Sequence, residues 1–271
     1  MNLQQRNNVQ VIGEGRSTLI FSHGFGCDQA MWRFLVPHYA DRFKLVLYDL
    51  VGAGNSAIEA YDRHKYASLH GYARDLTELI EAFGEGPVII VGHSVSAMIG
   101  VLADRQTPGL IAGHVMIGPS PCYVDSEGYV GGFSEEDVHS LLDTLDSNYL
   151  GWSSTMAPVI MGAPGQPALG EELTNSFCRT DPEIAKQFAH VTFLSDNRKD
   201  VAGLTTPTLI LQSTDDMIAP VAVGEYLHDA LPNSTLKVVD NIGHCPHLSA
   251  PHACSAAMDD FLKPWEAVDG D

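Results

Sequence analysis

Val88-Ile-Ile-Val-Gly92-His93-Ser94-Val95-Ser96-Ala97-Met98-Ile99-Gly100 decides the reading of this chain. Four β-branched residues make a buried strand, and a tight turn then leads straight into a helical run. A serine at the tip of such a turn has its hydroxyl held up from the sheet, within reach of a base. Small residues two positions to either side, here Gly92 and Ser96, let strand and helix approach closely. Ser96 stands where a second glycine is usual, which weakens the pattern and keeps its steric logic. The bland alternative is that Ser94 only caps an ordinary helix.

Outward from this turn, short runs rich in Val, Ile and Leu recur at Val9 to Ile12, Thr18 to Ser22, Lys44 to Tyr48, Val88 to Gly92, His114 to Ile117, Thr208 to Gln212 and Thr235 to Val239. Helical periodicity separates many of them; over Tyr72 to Phe83, for example, Leu76, Leu79, Ile80 and Phe83 share a face. Strands alternating with helices predict a mostly parallel, doubly wound α/β sheet, because parallel strands need long crossovers. The rhythm breaks after Pro121. From there to about Ser195 only amphipathic segments occur, at Ser134 to Ser147, Tyr149 to Met161, Leu169 to Cys178 and Asp181 to Phe193. Ser134 with Asp137, and Thr180 before Asp181-Pro182, are the expected helix starts. The expected organisation is therefore a core of residues 1–120 and 196–271 with a four-helix cap, 121–195, inserted into it. Val268 to Asp271 are expected to fray.

Two further loops follow strands. Ile20-Phe21-Ser22-His23-Gly24-Phe25-Gly26 is a strand and a glycine-rich loop able to aim a backbone N–H at a developing oxyanion, a donor worth about 3 kcal/mol in a transition state. Phe25 and Val95 are the candidate donors, the second because it follows the nucleophile. Ser213-Thr214-Asp215-Asp216 ends one strand, and Asn241-Ile242-Gly243-His244 follows the last, so the chain order is Ser, Asp, His. Loops after strand C-termini are where open α/β sheets place their sites. His244 can take the Ser94 proton while a carboxylate orients its ring. Pattern alone leaves Asp215 and Asp216 open.

Other chemistries fit less well. Gly243-His244-Cys245-Pro246-His247, with His252 nearby, offers metal-ligand types, but no second cluster completes a tetrahedron, so no metal is expected. His93 reads as a packing residue. Gly24, Gly26, Gly52 and Gly54 never form the dinucleotide fingerprint. Five cysteines, Cys27, Cys122, Cys178, Cys245 and Cys254, are scattered and read as free thiols. The formal net charge is −19, from 15 Lys and Arg against 34 Asp and Glu, and no basic cluster offsets it, which argues against nucleic acid or anionic lipid as partners. With 271 residues, 45% of them hydrophobic, the chain can bury one large core. No run approaches the roughly 20 apolar residues of a membrane span, and Met1 to Gln10 lack a signal-peptide pattern, so a cytoplasmic location is expected.

Taken together, His23-Gly-Phe-Gly-Cys-Asp-Gln29, Tyr48-Asp49 with Gly52-Ala-Gly54, Gly92 to Gly100, Gly118-Pro-Ser-Pro-Cys-Tyr123, Gly131-Gly-Phe133, Phe177-Cys-Arg-Thr-Asp-Pro182 and Gly243 to His247 resemble one branch of the α/β-hydrolases. That branch contains the bacterial stress regulator RsbQ and the plant karrikin and strigolactone receptors. Pro119 to Tyr123 and the Cys-Pro-His run look most like RsbQ, while Ser96 looks like the plant receptors. The resemblance implies an α/β-hydrolase fold with a helical cap over an apolar pocket, and Asp216 as the acid. It implies a pocket wall of Phe25, Tyr123, Phe133, Trp152, Met156, Phe193, Met217 and Ile218. It further implies a cofactor-free esterase or lactonase for a small apolar ester, or a slow receptor in stress signalling that acts through a protein partner such as a PAS-domain phosphatase. Ser94 in place of a carboxylate disfavours a haloalkane dehalogenase.

Overall fold

A computed structural model of the chain describes residues 1–266. The expected fraying of Val268 to Asp271 lies outside the described residues. Seven strands, β1 (Gln10–Ile12), β2 (Thr18–Ser22), β3 (Lys44–Tyr48), β4 (Val88–His93), β5 (Gly113–Ile117), β6 (Thr208–Asp215) and β7 (Ser234–Ile242), form one sheet in the order β1-β3-β2-β4-β5-β6-β7. Only β1 runs antiparallel to its neighbour; the other pairings are parallel. The chain moves from β2 outward to β3 and then returns to the other side of β2 as β4. That reversal is the switch point where open sheets of this kind leave a crevice.

Strands β2, β4 and β5 are buried along their whole length, as expected of parallel strands covered on both faces. Their side chains alternate. Leu19, Phe21, Ile89, Val91, Val115 and Ile117 enter one hydrophobic cluster, whereas Ile20, Val46, Ile90, Met116 and Ile210 enter the other. The helices α1 (Leu69–Phe83), α2 (Val95–Gln106) and α7 (Val221–Ala230) cover the second cluster, and α8 (Pro251–Leu262) covers the first.

Between β5 and β6 lie α3 (Glu135–Ser147), α4 (Tyr149–Met161), α5 (Pro167–Arg179) and α6 (Pro182–Phe193). Ser134 caps α3 in a reciprocal capping box with Asp137. The cap of α6 is Asp181, whose carboxylate accepts from the Glu183 and Ile184 amides, and not Thr180, which instead closes α5. Proline at the first position of α6 leaves the residue before it to cap the freed amides. Val138, Leu142, Leu173, Phe177, Ala189 and Phe193 of these helices join the same cluster as the first face of the sheet. The two last strands run longer than their sequence pattern suggests. A register shift between Ser213 and Asp215 lets β6 continue to pair with Ile242, which aims Asp216 toward the β7 loop.

Candidate active site

Strand β4 ends at His93 and α2 begins at Val95, leaving Ser94 alone at φ 56°, ψ −125°. A side chain held there costs about 1–3 kcal/mol and persists only when its surroundings enforce it. The Ser94 amide donates to the Ile117 carbonyl of β5 at 2.8 Å. Gly92 makes the close approach possible: a Cβ on it would sit 2.8 Å from the Ser96 carbonyl oxygen and 2.9 Å from the Ala97 nitrogen. Ser96, fully buried, donates its hydroxyl to the His23 carbonyl. A hydroxyl satisfied in this way explains why serine is accommodated where the pattern favours glycine, and it ties the turn to the loop after β2.

His244 Nδ1 lies 2.7 Å from Asp216 Oδ2, and its Nε2 lies 2.8 Å from Ser94 Oγ. A carboxylate only accepts, so Nδ1 carries the proton and the Nε2 lone pair faces the serine hydroxyl. The other Asp216 oxygen accepts from the Ile218 and Ala219 amides at 2.8 and 3.1 Å, which locks the carboxylate in place. Asp215, left open by pattern, is exposed; its carbonyl accepts from the Gly243 amide at 2.7 Å. Gly243 sits at φ +113°, where a Cβ would fall 1.8 Å from the Met161 carbonyl oxygen. The next amide, that of His244, donates to the Ile160 carbonyl at 2.9 Å, so the end of α4 holds the histidine loop. Such a line of acid, imidazole and hydroxyl is able to move a proton off the hydroxyl during attack on a carbonyl.

Gly24, in the loop after β2, approaches Ser94 so closely that a Cβ on it would lie 3.3 Å from the serine Cβ. Among the described residues, neither the Phe25 nor the Val95 amide is used in a turn or cap hydrogen bond. The Phe25 ring is half-buried and meets Phe177 edge-on at 5.5 Å.

Above Ser94 lies a tight cavity. Of the expected wall, Phe25, Tyr123, Trp152, Phe193 and Ile218 line it. Three expected residues do not. Phe133 stands behind Phe193, edge to ring at 6.4 Å. Met156 packs, partly buried, on the hydrophobic cluster, and Ile160 one turn on supplies the wall beside Trp152. Met217 is 41% exposed, because the chain alternates Asp216 in, Met217 out and Ile218 in. Sequence reasoning missed Cys27, His93, Leu173, Phe177, Thr192 and Cys245 at the wall. Leu173 and Phe177 share an α5 face at i, i+4 spacing, a signal open to a helix-face reading. Thr192 is a polar residue on the otherwise apolar face of α6, equally readable.

Beneath the triad, His93, Cys245 and His247 bring their ligand-type atoms within 4.8 Å of one another, all buried. Three such groups fall short of a closed tetrahedral set. His93 Nε2 donates to the His244 carbonyl at 2.9 Å, so this histidine holds the His244 loop besides packing. His247 lies between the Trp32 and His93 rings, at 4.8 and 4.6 Å. Burial pushes its pKa from 6.5 down to about 3 and holds that of His93 well below its ordinary value. The unfolded chain takes up a proton on each histidine below about pH 6.5, and the folded chain does not. Their stabilisation is therefore complete above pH 6.5 and is lost as pH falls. Denaturant unfolding at pH 7 and pH 5 is expected to show a loss of about 2 kcal/mol from His247 alone. His247→Leu should flatten that part of the slope, and an unaltered slope would contradict the assignment.

Residues 19–257 match a family profile described as the alpha/beta hydrolase family. The chain is 38% identical over 250 residues to the karrikin insensitive 2 receptor CA of Petunia hybrida, covering 92% of this chain and 93% of that one. It is 35% identical to the strigolactone esterase D14 of Arabidopsis thaliana, covering 97% of each. Among solved structures, a hydrolase from Oleispira antarctica superposes with a TM-score of 0.93 at 40% identity, covering 97% of this chain and 96% of that one. With its sheet order, its strained serine turn and these likenesses along nearly its whole length, the chain belongs to the alpha/beta hydrolase family, on the side of the karrikin and strigolactone proteins.

Proposed function

We propose that this protein is a serine esterase or lactonase that cleaves a small, mostly apolar ester through an acyl-enzyme. The observation that carries the reading is the buried Ser94–His244–Asp216 line, at 2.8 and 2.7 Å, opening into a cavity walled by Phe25, Trp152 and Phe193. Ser94 attacks the ester carbonyl as His244 Nε2 takes its proton. The oxyanion rests on the Phe25 and Val95 amides, and Asp216 stabilises the imidazolium. His244 then protonates the leaving alcohol and, in the second half, activates the water that releases the acid. No step needs a metal or organic cofactor. Residues 121–195 act as a lid over a core of 1–120 and 196–271. A cytoplasmic site of action fits the absence, among the described residues, of any helix able to cross a membrane.

A slow-turnover ligand receptor is the second reading, supported by the receptor names of the Petunia hybrida relatives. In the RsbQ-like form of this reading the occupied protein signals through a partner such as a PAS-domain phosphatase. One experiment tests both: intact-mass measurement during turnover of aryl esters and butenolide lactones. An acyl adduct on Ser94 that appears and clears within each turnover supports the esterase, and one that persists after a single burst supports the receptor. Hydrolysis with no adduct on Ser94 would count against either.

A further inference from the structure

The wall of the cavity carries two hydroxyls that the proposed chemistry leaves unused. Thr192, on α6, is 2% exposed, and Tyr123, on the loop after β5, is 1% exposed. Both residues line the cavity. Among the described residues, neither the Thr192 Oγ1 nor the Tyr123 hydroxyl has a hydrogen-bond partner. A helical threonine commonly bonds back to the carbonyl one turn earlier; this one does not.

The two groups are neighbours through Phe193, which follows Thr192 and packs on the Tyr123 ring at 5.1 Å. Burial raises the Tyr123 pKa to about 12, and the Ser94 hydroxyl stands close enough to pull it back somewhat without bonding geometry being reached. The phenol is therefore un-ionised and free to donate near the reacting oxygen. Leaving a buried hydroxyl unpaired is costly, and an apolar residue of the same shape avoids that cost. Valine is nearly isosteric with threonine and phenylalanine with tyrosine. Two unpaired hydroxyls on residues that wall one small cavity therefore point to a ligand that satisfies them.

We infer that the substrate carries a second hydrogen-bonding oxygen on its acyl side, beyond the scissile ester, and that Thr192 and Tyr123 recognise it. This rests on the esterase reading above. The acyl side is the part that stays in the cavity on Ser94 after the alcohol leaves, so groups beside the serine act on it through both halves of the reaction. Thr192 and Tyr123 are specificity residues in this scheme, with no proton of the reaction passing through them.

The test compares isosteric acyl pairs as 4-nitrophenyl esters: methoxyacetyl against butyryl, and 3-methoxypropanoyl against pentanoyl. Intrinsic reactivity differs within a pair, so the quantity read is the wild-type ratio of kcat/KM divided by the same ratio in a variant. Thr192→Val and Tyr123→Phe are each expected to reduce the preference for the oxygenated member of at least one pair by about three- to tenfold, the worth of one hydrogen bond. Thr192→Ser, which keeps the hydroxyl, should restore the preference.

The matching 4-nitroanilides, which resist hydrolysis, give the same comparison as binding affinities by calorimetry. If wild type turns over no ester and forms no Ser94 adduct, the esterase reading fails, while the anilide ratio still tests Thr192 and Tyr123. If both members of every pair respond equally to each variant, in turnover and in binding, the inference is overturned and the hydroxyls have no ligand on the acyl side.

Discussion

Ser94→Ala is expected to lower ester turnover by roughly 10⁴- to 10⁶-fold, the loss that follows removal of a nucleophile from a hydrogen-bonded triad. What survives is the contribution of the oxyanion donors and of binding, because the Phe25 and Val95 amides belong to the backbone and are untouched. The fold should remain. Alanine inherits the same strained φ of 56° and the same amide bond to Ile117, and gives up one hydrogen bond to His244, worth about 1 kcal/mol. Rates on aryl esters, paired with denaturant unfolding of both proteins, separate the two effects. Turnover at the wild-type level in a folded variant would remove Ser94 from the mechanism.

Asp216→Asn and Asp215→Asn form the second contrast. Asparagine at 216 keeps the shape and can still accept from Ile218 and Ala219, but the group facing His244 no longer carries a full negative charge. If the amide nitrogen turns toward the ring, the histidine adopts the tautomer that cannot take the serine proton. The expected fall in kcat is roughly 10⁴-fold. Asp215 presents its side chain to solvent and contributes through its carbonyl, which asparagine retains, so its change is expected to stay within about twofold. Equal losses at the two positions would mean that the pair acts by local charge and not through the imidazole.

That contrast also marks where sequence reading stopped. Adjacent aspartates after a strand are equivalent in pattern; a register shift at Ser213 and the alternation of an extended chain decide which one turns inward. The same alternation puts Met217 outside the cavity that family likeness assigned it to. Thr180, the expected start of α6, instead closes α5, and Asp181 caps α6.

The sequence by itself determined the α/β alternation, the interruption after Pro121 and the chain order of Ser94, an aspartate at 215 or 216, and His244. These are local properties: periodicity reports burial within one element, and glycines or prolines report turns within a few residues. Only the tertiary structure decided that Ser96 is satisfied by His23, that His93 holds the His244 loop and that Ile160 and Phe177 wall the cavity while Phe133 stands behind it. Each of those facts depends on how far apart two elements lie and which faces they share. Pairing energies between residues 70 or 150 positions apart leave no mark on the pattern of either segment alone.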